Sequence, residues 1–280
     1  MDLEPQPALI HELVWRRADV AKMWPVPDQQ DDKYSRGVVG IDTGSARYPG
    51  AAVLSVLGAL RSGAGFIRFN GEPAAQAAIV ARAPSVTHGD GRVNAWVLGC
   101  GWDDQTNNLD RLRHRLADGV PCVIDATALG LLPGETRTLP PGCLLTPHAG
   151  ELALLLSTTR AEIEAAPVAS AQAVADRFDA AVLLKGSRQI VATPGSSLVE
   201  VALPGPAWAA QAGSGDVLAG VCGMLLAAGV TPAAAGVAAA SLQALTGRRH
   251  PGPYSPDGLA DFFPATIAAL LGGPDTPAQS

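Results

Sequence analysis

The sequence predicts an α/β domain of three layers, α/β/α, around a mostly parallel central sheet. Short apolar runs alternate with helical patterns from Gly37 onward, the signature of strands joined by crossover helices. The last third of the chain reads almost wholly as helix. The 31 glycines and 23 prolines are scattered between the apolar runs, where they supply turns. With 48% hydrophobic and 16% charged residues, the chain can bury a sizeable core and lies far from the disordered class.

Residues 1–36 read as a leader to the main domain. A helix is expected from Pro7 to Met23, ending at Trp24-Pro25-Val26-Pro27 because a proline disfavours helix at the residue before it. A polar link, Asp28–Arg36, follows. Buried strands are expected at Val38–Ile41, Gly65–Phe69, Ala95–Leu98, Cys122–Asp125, Leu144–Thr146, Val182–Lys185 and Ile190–Thr193. Helices are expected at Gly50–Arg61, Leu109–Ala117, Gly150–Leu155 and Ala161–Phe178. After Gly215 come Asp216–Ala228, Pro232–Arg248 and Gly258–Leu271. The main domain thus spans 37–272, and residues 273–280 read as a flexible tail.

Lys and Arg total 20 against 26 Asp and Glu, a net charge of −6, which argues against a polybasic nucleic-acid or membrane surface. Aromatics at 5% also argue against a base-stacking platform. Cys100, Cys122, Cys143 and Cys222 form no C-x-x-C pair, so free thiols in a reducing compartment are expected. The N-terminus is acidic and lacks a secretory apolar region. The most apolar stretch, Val217–Val230, is too short to span a bilayer. The expected location is the cytoplasm.

Ligands of such sheets bind at the carboxyl ends of the strands. The strongest motif is Gln211-Ala212-Gly213-Ser214-Gly215-Asp216, a small-residue loop opening into an apolar helix. Glycines let backbone N–H groups converge, and a helix N-terminus favours negative charge. Gly213, Ser214 and Gly215 are candidates for an anion hole suited to a phosphoryl group, and Asp216 for its general base. Ser214 or Asp216 could equally be an ordinary helix cap.

His148, in Thr146-Pro147-His148-Ala149-Gly150-Glu151, follows a strand and would face the crevice. A satisfied structural role suits a lone histidine as well, and Glu151 could be first-turn charge. Lys185 ends a strand before the turn Gly186-Ser187-Arg188-Gln189, where lysine can pair with a phosphate. A hairpin with a snorkelling lysine is the alternative. The loop Gly44–Ala52 would allow close approach of a bulky ligand, or be a plain connection. Gly99–Trp102 and Asp125–Leu129 are further strand-end loops. Asp125 could hold a water or Mg²⁺, or cap a turn.

Together these motifs resemble the ADP/ATP-dependent NAD(P)H-hydrate dehydratase family, which has a ribokinase-like fold. The resemblance covers residues 33–271. It rests on Lys33-Tyr34-Ser35-Arg36-Gly37, Tyr48-Pro49-Gly50-Ala51-Ala52, Leu60-Arg61-Ser62-Gly63-Ala64-Gly65, Thr146–Glu151, Leu184-Lys185-Gly186 and Gly213–Gly220. It implies that Ala51, Gly101, His148 and Asp216 contact a hydrated dinucleotide, NADHX or NADPHX. It also implies that Lys185, Gly186, Ser187, Arg188, Gln189 and Gly215 contact ADP or ATP. Phosphorylating the ring hydroxyl would turn a poor leaving group into phosphate, with Mg²⁺ expected from the phosphoryl chemistry. A homotetramer is implied, as is a separate NAD(P)HX epimerase, since this chain has no room for the epimerase domain that many members carry.

The family pattern is broken at Cys100, Thr127 and Ala149, at Leu203-Pro204-Gly205-Pro206 and at Leu242-Gln243-Ala244. Two other readings stay open: a ribokinase-like kinase of a small alcohol, which would share the anion hole, and a non-catalytic nucleotide-binding module.

Overall fold

The computed structural model describes residues 10–103, 107–134 and 139–272. The N-terminal half runs β1 (His11–Val14), α1 (Arg17–Met23), β2 (Val38–Asp42), α2 (Pro49–Ser62), β3 (Phe66–Phe69), α3 (Pro73–Arg82), β4 (Thr87–His88), β5 (Ala95–Leu98), α4 (Asn108–Leu116), β6 (Cys122–Ile124) and α5 (Thr127–Leu131). It continues with β7 (Leu144–Leu145), α6 (Ala149–Leu156), α7 (Arg160–Ala165), α8 (Pro167–Phe178), β8 (Ala181–Leu184), β9 (Ile190–Ala192), β10 (Leu198–Val201), α9 (Ser214–Ala227), α10 (Pro232–Arg249), α11 (Pro256–Ala260) and α12 (Phe263–Leu270).

These strands form one sheet in the order β1-β10-β9-β8-β7-β6-β5-β2-β3-β4. All neighbours are parallel except β9, which is antiparallel to β8 and to β10. The sheet is mostly parallel, as expected, and its central strands are buried on both faces. One core cluster joins the sheet to α2, α9 and α10, with Val56, Val221 and Val237 fully buried. The other lies on the opposite face under α4, α6 and α8, around Leu112, Leu152 and Val174.

Helices α2 and α9 pack backbone against backbone. A Cβ on Gly58 would lie 2.1 Å from Val217 O, and one on Gly220 would lie 2.0 Å from Ser55 O. Only glycine permits that approach. It fixes the first turn of α9, at Val217, against Gly58 in the C-terminal half of α2.

Three expectations change. The helix predicted from Pro7 to Met23 is a strand followed by a helix of seven residues, Arg17–Met23; the first part of that range lies outside the described residues. The backbone of β1 pairs with β10 across nearly two hundred residues, and this non-local ladder overrides local propensity. The helix expected over Ala161–Phe178 is broken before Pro167, which opens α8. The helix expected over Gly258–Leu271 is two helices, with Pro264 in the first turn of the second. The tail 273–280 lies outside the described residues. None of the described helices is long and apolar enough to cross a membrane.

Candidate active site

The carboxyl ends of β5, β6, β7 and β8 share one rim of the sheet, and the N-terminus of α9 abuts it. Asp125 follows β6 and is 2% exposed. The Lys185 ammonium lies 2.5 Å from Asp125 Oδ1, and Thr146 Oγ1 donates to the same oxygen at 2.9 Å. Cys100 Sγ lies 3.4 Å from the other oxygen, Oδ2. Ala126, next in the chain, holds φ +49. Such positive-φ backbone costs a non-glycine residue on the order of 1–3 kcal/mol and recurs at functional sites.

Asp216 completes the group. One ligand atom each from Cys100, Asp125 and Asp216 lie within 4.8 Å of one another. Burial pushes the Asp216 carboxyl up to about 7, the Asp125 charge adds to that, and Lys185 opposes it. Burial alone would push the Lys185 ammonium down; the neighbouring Asp125 and Glu151 charges outweigh it and hold Lys185 above its ordinary value. Burial, then the Asp125 and Asp216 charges, push the Cys100 thiol well up, so it keeps its proton.

Gly213 caps α9 with φ +92. The amide of Val217 is the first to bond back one turn, to Gly213 O at 3.2 Å, so the amides of Gly215 and Asp216 precede the intrahelical ladder. A Cβ on Gly215 would lie 3.3 Å from Lys185 Nζ, which puts the loop in contact with the Lys185–Asp125 pair. Ser214 O accepts from Gln243 Nε2 at 2.9 Å. Gln243, one of the breaks in the family pattern, therefore braces the loop that opens α9. Pro206 packs where Gly247 lacks a side chain, and Thr127 Oγ1 donates to Trp102 O at 2.8 Å.

His148 is the N-cap of α6. Its Nδ1 accepts from Glu151 N at 3.1 Å, and Glu151 Oε2 accepts from His148 N at 2.8 Å, a reciprocal capping box. The imidazole is 59% exposed on the rim, and Glu151 Oε2 lies 3.8 Å from Lys185 Nζ. The capping role is thus present, and the ring remains exposed. Ala51 sits in the first turn of α2, against Gly101: a Cβ on Gly101 would lie 2.4 Å from that of Ala51. Gly186, Ser187 and Arg188 form an exposed turn between β8 and β9, with Gln189 half-buried. Arg188 reaches away to Glu12 on β1, donating from Nη1 to Oε1 at 2.9 Å.

The sequence offers Asp125 as a residue that could hold a water or Mg²⁺ or cap a turn, but not its pairing with Lys185 and Thr146. Asp125 stands after an apolar run like any turn-capping aspartate, and its lysine partner is 60 residues away. Cys100 reads as a buried thiol in a strand-end loop and as a break in the family pattern; it is buried, and its place beside Asp125 and Asp216 is not legible from its spacing.

The sequence profile of the NAD(P)H-hydrate dehydratase family matches residues 39–260. A bifunctional NAD(P)H-hydrate repair enzyme, Nnr, of Mycobacterium leprae is 40% identical over 228 residues, 78% of this chain and 46% of that protein. The chain thus spans about half the length of the first curated relatives it matches. An ADP-dependent (S)-NAD(P)H-hydrate dehydratase of Neisseria meningitidis is 36% identical over 218 residues, 72% of this chain and 73% of that one. Among solved structures, an ADP/ATP-dependent NAD(P)H-hydrate dehydratase of Bacillus subtilis, co-crystallized with ATP/Mg²⁺, superposes with a TM-score of 0.83 at 24% identity, covering 93% of this chain and 99% of that one. A hydroxyethylthiazole kinase of Pyrococcus horikoshii shares the fold more distantly, at a TM-score of 0.60 and 15% identity over 90% and 95% of the two chains. The fold is ribokinase-like, and the chain belongs to the NAD(P)H-hydrate dehydratase family.

Proposed function

We propose that the chain dehydrates hydrated NAD(P)H, NADHX or NADPHX, at the expense of a nucleotide donor, a cofactor-repair lyase reaction. One observation carries the reading: a half-buried carboxylate, Asp216, in the first turn of α9, grouped with Cys100 and Asp125 within 4.8 Å, where Asp125 is paired with Lys185. ADP is the favoured donor, because the relatives of matching length are named ADP-dependent and for the S form of the substrate.

Asp216 takes the proton of the ring hydroxyl as that oxygen attacks the donor's terminal phosphorus. The loop Gly213–Gly215 is the anion hole of this reading: the Gly215 amide, ahead of the helix ladder, would stabilise the phosphoryl charge, while the Ser214 amide is turned back to Gln211 O at 3.2 Å and shapes the loop. In this reading Lys185 and the backbone of the turn Gly186–Gln189 hold the donor's phosphates, the Arg188 side chain being engaged by Glu12, and Ala51, Gly101 and His148 border the dinucleotide. The bond from phosphorus to the nucleotide breaks, leaving AMP from ADP or ADP from ATP. The ring nitrogen's electron pair then expels phosphate, and loss of a proton from the adjacent ring carbon restores the dihydropyridine.

The donor set fits a hard divalent cation in part. Asp125 and Asp216 offer oxygens of the kind Mg²⁺ takes together with substrate phosphates, whereas the Cys100 thiol does not suit it. When bound, Mg²⁺ would neutralise phosphate charge. The surplus length of the bifunctional relatives favours pairing with an NAD(P)HX epimerase. A homotetramer and a cytoplasmic setting complete the reading, the latter in keeping with four free thiols.

The test mixes the protein with NADHX, Mg²⁺ and either ADP or ATP and follows the near-ultraviolet band of NADH. Donor-dependent regain of the band supports the dehydratase. Consumption of donor with a small alcohol and no regain supports the kinase reading instead.

A further inference from the structure

We propose that Asp42, Arg111 and Arg115 form a clamp that positions the loops bordering the dinucleotide, making them positioning residues for substrate binding; this rests on the substrate reading above. Asp42 ends β2 and is 1% exposed. Arg111 and Arg115 stand four residues apart on α4, on one face of the helix. Arg111 Nε donates to Asp42 Oδ1 at 2.7 Å, joined by its Nη2, and Arg115 Nε donates to Asp42 Oδ2 at 2.7 Å. Each guanidinium also lies over an indole: Arg111 is 4.4 Å from the Trp102 ring centroid, and Arg115 is 4.5 Å from that of Trp96.

The clamp does not read as an anion site. Arg115 Nη2 donates to Asn70 O at 3.3 Å and its Nη1 lies 3.5 Å from Asp90, while Arg111 Nη1 lies 3.8 Å from Glu72. Three carboxylates thus face two guanidiniums. What the cluster holds is backbone. Asp42 O accepts from Trp102 Nε1 at 2.9 Å, and Gly44 N donates to Cys100 O at 2.7 Å. Glu72 Oε2 accepts from Ala46 N at 2.9 Å, so the Arg111–Glu72 contact reaches the loop that leads into α2. The two loops so tied, 44–48 and 99–102, meet where a Cβ on Gly101 would lie 3.1 Å from Tyr48 O, beside Ala51 in the first turn of α2, and the second carries Cys100 into the Asp216 group. A buried carboxylate shared by two forks has little freedom, so loosening one fork displaces Trp102 and Gly101 with it.

The experiment varies NADHX and ADP separately for wild type, Arg111→Gln, Arg111→Lys and Asp42→Asn. Thermal melts and calorimetric binding of NADH are measured alongside. Arg111→Gln should raise the KM for NADHX and weaken NADH binding by about tenfold, the scale of one charge-assisted hydrogen bond. kcat and the KM for ADP should stay within about twofold, the split expected when only substrate binding is lost. Arg111→Lys, which keeps the charge but loses the fork, should fall between. If Asp42→Asn fails to fold, the lysine variant carries the test.

An unchanged NADHX KM in folded Arg111→Gln overturns the clamp. So does a parallel fall of kcat with both KM values intact, which would mark a purely structural ion pair. Should wild type bind NADH but show no dehydration, the functional reading fails while weaker NADH binding by Arg111→Gln still upholds the clamp. If wild type binds no NADH, both fall.

Discussion

Lys185 Nζ and Asp125 Oδ1 lie 2.5 Å apart at the ends of two strands separated by β7, and Asp216 senses both charges with opposite sign. Asp125 raises the Asp216 carboxyl and Lys185 lowers it, around a value of about 7 set chiefly by burial. A base works when deprotonated, so kcat/KM of the proposed reaction should rise with pH through about 7. Asp125→Asn removes a negative neighbour and should move this acid limb to lower pH. Lys185→Met removes a positive one and should move it up, while also weakening nucleotide binding. pH–rate profiles of the two variants check this; shifts in the same direction would contradict it.

Asp216 also bears on stability. Its folded-state value, about 7, exceeds the ordinary 3.8, so folding favours the protonated form. The stability it contributes in that form is complete below about pH 4 and is lost as pH rises through about 7. Asp216→Asn should therefore raise Tm, with a gain that grows between pH 4 and 7 and levels off above. Melting curves at pH 5 and pH 8 measure it. An equal gain at both would show that ionisation is not the cause.

His148 both caps α6 and exposes its ring on the rim. Asparagine caps helices well, so His148→Asn removes the ring with little cost to the fold. The KM for NADHX should rise more than kcat falls. Steady-state kinetics decide it; a large kcat loss with KM intact would give His148 a chemical role.

The α2–α9 contact has no room for a methyl group. Gly220→Ala would place a Cβ 2.0 Å from Ser55 O, a backbone atom that cannot swing aside. The cost should be at least about 1–3 kcal/mol, the range for overpacking, with the N-terminus of α9 displaced. Denaturant unfolding reads the loss, and activity should fall with it.

The rim was legible in sequence because parallel strands deliver whatever follows them to one edge. Lys185, His148 and the loop before Asp216 each follow or face a strand end, and the structure gathers Gly215, Asp216 and Lys185 within one cluster. Partnerships were less legible. Asp125 needs Lys185 and Thr146, and Asp42 needs two arginines about seventy residues on, whose spacing reads like a solvated helix face. The strand β1 was hidden for the same reason: its reason to be extended is β10. Helix ends at Pro167 and Pro264 were within reach of the proline rule and were missed by reading apolar periodicity alone.

The most direct test of the account is the turnover of Asp216→Asn in the NADHX absorbance assay with ADP or ATP. The amide keeps the shape of the carboxylate but cannot take the proton of the attacking hydroxyl. The account predicts a folded variant that binds both ligands and loses at least about a hundredfold in kcat. Turnover close to that of the wild type would contradict it and return Asp216 to the role of first-turn charge or cap on α9.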